Sequence, residues 1–387
     1  MAVKKIINII PGSGYRAYLF KDPGMIIYSL ARYCNYDATH AYLNEIYHHD
    51  EFEVYGKMLS MGYADETNRK ACLTAVKEFI KNNIKNYDVV FLFNYGSANY
   101  KLAWLCKRYN PNIIVYCKLD MSDGGYSHFY ESSFSRKIKN YTERIKSRYV
   151  DLFTVETLKY YNDLKDNAMF SGGRLQYLPN GVSTLGIDKE KLDSIQKENI
   201  VLTVGRLGIY EKNNEMLLDV ISQLPEDIVN DWKFYFVGPM TDSFSEYAAE
   251  FLQKYPNLQK SIVFTGAVTD REKLYEIYAK SKIFCITSRS ESFCIATIEA
   301  IYHGCIPVLT RYGAVVDDQT DNGRIGAVCE QGDVKSFAEK LQQVMLANNK
   351  NLVKEVREFA RSKYDYKVIA EKLDEYISKN RNERNGN

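Results

Sequence analysis

Short apolar runs of strand length alternate with stretches of helical periodicity along the whole chain, the pattern that parallel sheets built from βαβ units produce. In the first half the runs that predict strands are 5–10, 88–93, 112–117, 151–155 and 175–178. In the second half they are 200–204, 233–237, 262–264, 283–286 and 306–309. Beyond them, 334–346, 351–363 and 367–379 carry helical periodicity, and the polar stretch 379–387 predicts a fraying end. A length of 387 residues supplies material for two to three domains with large cores. The expected architecture is therefore α/β, with two similar doubly wound parallel-sheet domains of the Rossmann type. The polar segment 183–199 suits an exposed linker, which puts the domains at 1–183 and 184–365 and leaves 366–387 as a terminal helix.

Two glutamates eight positions apart, Glu291 and Glu299, follow the apolar run 283–286. Eight residues of continuous helix turn a side chain by roughly 80°, so both cannot share one helical face. Glu291 is expected before a short helix, Ser292, Phe293 and Cys294 at its entry, and Glu299 inside it. Free amides at a helix entry attract an anion such as a phosphate. A carboxylate only accepts hydrogen bonds, so Glu299 beside such a site suits a diol; a nucleotide supplies both. A second cluster is Gly205, Arg206 and Leu207 after the run 200–204, followed by Lys212 at the opening of a helix expected over 211–224. Taken alone, each is open to a plainer reading, as a tight turn and a solvated lysine. Taken together with Gly238, Gly266 and Gly304, they fall at strand or helix ends, where open parallel sheets bind ligands.

The segment 291–300 resembles the E-x7-E motif of retaining glycosyltransferases of the GT-B fold, above all the group 1 or family 4 type. Glu291, Phe293, Glu299 and Ala300 match, while Ser292 and Cys294 stand where the family has glycines and Ala296 where it has proline. The run Leu178-Pro179-Asn180-Gly181-Val182 is similar to the signature that closes the first domain of that fold. The resemblance implies two domains facing a cleft, with the last helix returning to the first domain. It implies that Arg206 and Lys212 sit on the pyrophosphate of a nucleotide sugar. Glu299 would hold the ribose, and Glu291 with the amides of Phe293 and Cys294 the donor sugar. It also implies transfer with retention to a glycan or glycolipid hydroxyl, a UDP-sugar as the commoner donor, bacterial surface polysaccharide synthesis as a setting, and no cofactor or dedicated metal. On the acceptor side, Gly12 and Gly14 in Pro11-Gly12-Ser13-Gly14 resemble the family's glycine loop, with a plain turn as the alternative. Asp120 occupies the aspartate position of the family's H-D pair, which here reads Leu119-Asp120. His128, farther along, either reaches the site or is a surface residue.

Composition narrows compartment and partners. The net charge of +2 and the lack of a nucleic-acid-binding signature give no reason to expect nucleic acid. With no apolar run near 18 residues, no membrane span is expected. Eight scattered cysteines without metal-ligand spacing fit reduced thiols in a cytoplasm. Residues 1–150 nonetheless hold about seven more Lys and Arg than Asp and Glu, densest from Arg136 to Arg148. That run is either a solvated helix face or a surface for peripheral contact with an anionic membrane. Two other function classes stay open: a non-catalytic sugar-nucleotide or glycan-binding partner on the same fold, and a nucleotide-sugar epimerase.

Overall fold

The computed structural model describes residues 3–13, 19–44, 50–65, 67–131, 133–347 and 350–385. The chain divides into one unit of Met1–Gly186 with Asp365–Asn387 and a second of Ile187–Tyr364.

The first unit is built on seven strands: β1 (Lys4–Ser13), β2 (Tyr36–Leu43), β3 (Gly56–Ser60), β4 (Val89–Phe93), β5 (Ile114–Lys118), β6 (Leu152–Val155) and β7 (Leu175–Tyr177). They pair in the order β3-β2-β1-β4-β5-β6-β7, every pair parallel. Strands β4 and β5 are buried almost throughout, as expected when helices cover both faces of a parallel sheet. Strands β2 and β3 lie outside the sequence expectation because polar residues interrupt their runs. Thr39 and His40 of β2 are buried all the same; His40 Nδ1 lies 3.4 Å from Asn8 Nδ2, and burial pushes its imidazole down to about 4, keeping it neutral. Strand β1 runs on to Ser13 through a register shift after Ile10, so Pro11 and Gly12, expected in a loop, belong to its irregular end. Gly14 lies outside the described residues.

The terminal helix Tyr366–Asn385 completes this unit. Its Tyr366, Ile369, Leu373 and Ile377 join the core formed by Met25, Tyr28, Phe91 and Tyr116. Polar contacts fix its register: the Tyr366 hydroxyl donates to Asp22 Oδ1 at 2.5 Å, and Asp374 Oδ1 accepts from Lys4 Nζ and the Tyr36 hydroxyl, each at 2.6 Å.

The second unit has six strands, β8 (Glu198–Val204), β9 (Lys233–Val237), β10 (Ile262–Gly266), β11 (Ser281–Ile286), β12 (Ile306–Thr310) and β13 (Ala327–Cys329). Their order is β10-β9-β8-β11-β12-β13, again all parallel. The three-residue β13 is too short to show a period of its own. Leu217, Val220 and Ile221 from the helix Asn214–Ser222 share one core with Phe234 and Phe236 of β9 and with Phe337 and Leu341 of the helix Val334–Leu346.

Candidate active site

In the second unit the winding direction reverses between β8 and β11, and the crevice outside the carboxyl ends of two such strands is where open α/β sheets bind ligands. Gly205 and Arg206 leave β8 there, and Thr287, Ser288 and Glu291 follow β11. The strand ends approach closely: Gly238, at φ 145°, lies so near that a Cβ on it would stand 1.7 Å from the Gly205 carbonyl oxygen. Only glycine fits that spacing.

Lys212 does not open a helix at 211. Asn213 adopts a left-handed conformation at φ 48°, so the helix starts at Asn214 and Lys212 sits in a turn whose amide donates to the Ile209 carbonyl at 2.9 Å. This turn is tied to the loop after β11. The Thr287 hydroxyl donates to the Asn213 carbonyl at 2.8 Å, and the Arg289 amide to the Glu211 carbonyl at 2.8 Å. The result is an ion pair between Lys212 Nζ and Glu291 Oε1, with the Ser288 hydroxyl donating to the same oxygen at 2.7 Å. The side chains of Lys212 and Glu291 are 20% and 11% exposed, so the pair is shielded yet reachable. Arg206 is exposed, and its guanidinium makes no hydrogen bond or ion pair with the described residues.

Glu291 precedes the helix Ile295–Tyr302, Glu299 lies within it, and Cys294 caps its start at φ 55°. A non-glycine residue in that region costs about 1 kcal/mol or more, and neighbours hold it there. Gln319 Nε2 donates to the Phe293 carbonyl at 2.6 Å and to that of Cys294 at 3.4 Å, while the Tyr312 hydroxyl donates to Gln319 Oε1. Among the described residues no acceptor takes the amides of Phe293 and Cys294. Glu299 accepts from the Tyr275 hydroxyl at 3.2 Å and the Tyr278 hydroxyl at 3.3 Å, with Arg271 Nη2 at 3.8 Å. Each carboxylate oxygen keeps a second lone pair. Burial raises the Glu299 carboxyl above its ordinary value, opposed by Arg271 and then by the two tyrosines. Gln319, Arg271, Tyr275 and Tyr278 carry no motif, and only the fold brings them to the loop and to Glu299.

The sequence candidates of the first unit do not all meet. Asp120 follows β5 at φ 47°, and burial, reinforced by Asp22 and opposed by Lys118 and Lys21, raises its carboxyl. His128 is 41% exposed with Nε2 3.6 Å from Glu131 Oε1, and it makes no contact with Asp120 among the described residues. Beneath Asp120 lies a buried charge cluster without a sequence signal. Lys118 Nζ is 3.2 Å from Asp22 Oδ2, and Glu156 Oε1 accepts from the Met121 amide. Burial, with Lys118 opposing and Asp120 adding, pushes Glu156 from 4.5 up to about 8. The folded chain therefore holds a proton there that the unfolded chain releases, and this contribution to stability falls as pH rises from about 4.5 to about 8. Glu156→Gln, which keeps an oxygen for Met121 and cannot ionise, is expected to flatten the loss of melting temperature over that window. Parallel slopes for variant and parent would refute the assignment.

Two doubly wound units of this kind constitute the GT-B architecture of glycosyltransferases. Residues 186–363 match the family model described as glycosyl transferases group 1. Among solved structures it is similar to Anabaena HepE in complex with UDP and glucose, at 14% identity over 98% of this chain and 100% of that one, TM-score 0.64. Sucrose-phosphate synthase from Thermosynechococcus elongatus aligns at 16% identity over 98% and 99% of the two chains, TM-score 0.67. WaaG, a glycosyltransferase involved in lipopolysaccharide biosynthesis, aligns at 15% over 97% and 99%, TM-score 0.59. No curated protein matches the chain in sequence.

Proposed function

We propose that the protein is a retaining glycosyltransferase that moves a hexosyl or N-acetylhexosaminyl group from a nucleoside diphosphate sugar, UDP first, to a hydroxyl of a glycan or lipid-linked glycan. The observation that carries this reading is the pairing of Lys212 with Glu291 across the β8/β11 reversal, beside an unpaired Arg206. In the reaction the bond from the anomeric carbon to the diphosphate oxygen breaks and a bond to the acceptor oxygen forms on the same face. The acceptor proton passes to the departing phosphate. Arg206 and Lys212 meet the charge growing on that diphosphate, an interaction stronger in the transition state than before it. Glu291 and the free amides of Phe293 and Cys294 bind the donor sugar, and Glu299, held by two tyrosines, accepts from the ribose diol. Gly12, Gly14 and Asp120 are assigned to the first unit's share of substrate binding; His128, paired with Glu131, is given no role. No step needs a metal, so turnover is expected to persist in EDTA. HepE was solved with UDP, which favours UDP as the first nucleotide to try, and WaaG's part in lipopolysaccharide synthesis favours a surface glycan as acceptor.

The test is a thermal-shift series with UDP, GDP and ADP, followed by release of free nucleotide from UDP-sugars with and without acceptor glycans. At 100 times its dissociation constant the right nucleotide adds about 2.7 kcal/mol, and nucleotide release is expected to depend on acceptor. Binding without release would indicate a non-catalytic partner, and acceptor-independent conversion of the sugar an epimerase. No shift with any nucleotide would overturn the reading.

A further inference from the structure

The turn that carries Lys212 also carries Tyr210, whose side chain is 75% exposed at the rim of the second unit's crevice. The Arg289 guanidinium lies over its ring, with Cζ 4.4 Å from the centroid, and Nη1 donates to the Tyr210 carbonyl at 2.5 Å. The backbone of Arg289 is fixed as well: its amide donates to the Glu211 carbonyl at 2.8 Å, and its carbonyl accepts from Gln331 Nε2 at 2.8 Å. The arginine is thus held before any ligand arrives, which spares the ordering cost of binding. With Nη1 taken, the guanidinium keeps its Nε–Nη2 edge, two parallel donors that match the two oxygens of a carboxylate. Among the described residues neither nitrogen has a partner, and Arg289 forms no ion pair. Glu211, next to Tyr210, is exposed and forms no ion pair among the described residues either. Arg289 stands two residues before Glu291, and both reach across to the same turn, Arg289 to Tyr210 and Glu291 to Lys212. The open edge therefore lies beside the place assigned above to the donor sugar, where Arg206 and Lys212 already answer the diphosphate.

We infer that Arg289, stacked on Tyr210, binds a carboxylate on the donor sugar, so that the protein takes a nucleoside diphosphate hexuronic acid in preference to the neutral hexose. This rests on the transfer reaction proposed above and narrows its hexosyl group to one oxidised at C6. A planar fork with one free bidentate edge suits the planar carboxylate, and a point charge such as lysine would not select it. A carboxylate on the acceptor is the poorer occupant, because the loop that carries Arg289 also carries Glu291, assigned to the donor. Tyr210 is a positioning residue: its ring and its carbonyl aim the guanidinium, and its hydroxyl is not needed.

The full chain is tested by calorimetric titration with UDP, with UDP-glucose against UDP-glucuronic acid, and with UDP-galactose against UDP-galacturonic acid. One of the two acids is expected to bind about ten- to a hundredfold more tightly than its neutral hexose. Arg289→Gln should abolish that preference while leaving UDP and the neutral sugar nucleotides where they were, and Arg289→Lys should restore only part of it. Tyr210→Phe should match the parent, and Tyr210→Ala should weaken binding of the acid about two- to fivefold. An unchanged melting curve and an unchanged affinity for UDP certify that the variants fold. Equal affinities of the parent for acid and hexose in both pairs would overturn the inference and leave the transfer reaction standing. So would a uniform loss of all five ligands in Arg289→Gln, which would put the guanidinium on the diphosphate. A parent that binds none of the five would overturn the transfer reaction and this inference together.

Discussion

Lys212→Ala is expected to lower kcat by about 10²- to 10³-fold, the loss of about 2.7 to 4 kcal/mol that follows removal of one preorganised charge partner. The KM for the donor should change far less, because the ammonium is already engaged by Glu291 before the bond breaks and is needed most when the diphosphate departs. Arginine is not a substitute, since its planar fork presents its donors differently from the compact ammonium that Glu291 holds. Arg206→Ala supplies the contrast. That side chain is exposed and unpaired, so its loss should cut kcat while leaving the melting curve where it was. The check is steady-state release of nucleoside diphosphate together with single-turnover sugar transfer. A Lys212→Ala enzyme that retains kcat within about threefold would remove the charge argument.

Glu299→Ala is expected to destabilise the second unit by about 1 to 3 kcal/mol, the usual cost of leaving buried donors without their acceptor. Tyr275 and Tyr278 are fully buried, and both would lose the carboxylate that accepts from them. Glu299→Gln keeps an acceptor of the same shape and should lose roughly half as much. With two units the unfolding is not all-or-none, so the loss is best read as faster hydrogen exchange confined to the helices Arg271–Lys280 and Ile295–Tyr302. Both variants should also lose most of the UDP-induced shift. An alanine variant with native exchange in these helices would show that the tyrosines do not depend on Glu299.

How far the chain can be read from its residues depends on where each partner lies. Apolar runs such as those of β4, β5, β8 and β11 are legible because burial on both faces leaves polar residues no place in them. Strand β2 is not, because His40 and Thr39 are buried polar groups whose cost is met by neighbours invisible in the local pattern. The same holds within the site. That Glu291 stands before a helix and Glu299 inside it follows from eight residues of geometry. The pairing of Glu291 with Lys212 joins positions 79 apart, and the grip of Gln319 on the Phe293 carbonyl spans 26. The late start of the helix at Asn214 is a tertiary effect too, since the loop after β11 draws in the turn that contains Lys212.

The helix Tyr366–Asn385 gives biosynthesis a particular order. Its Ile369, Leu373 and Ile377 are part of the first unit's core, so that core stays unfilled until this segment has emerged from the ribosome. The interposed Ile187–Tyr364 has all its strands available earlier. Domains usually fold in the order of their synthesis; here the first unit cannot fill its core until a segment that follows the whole second unit in the chain has been made.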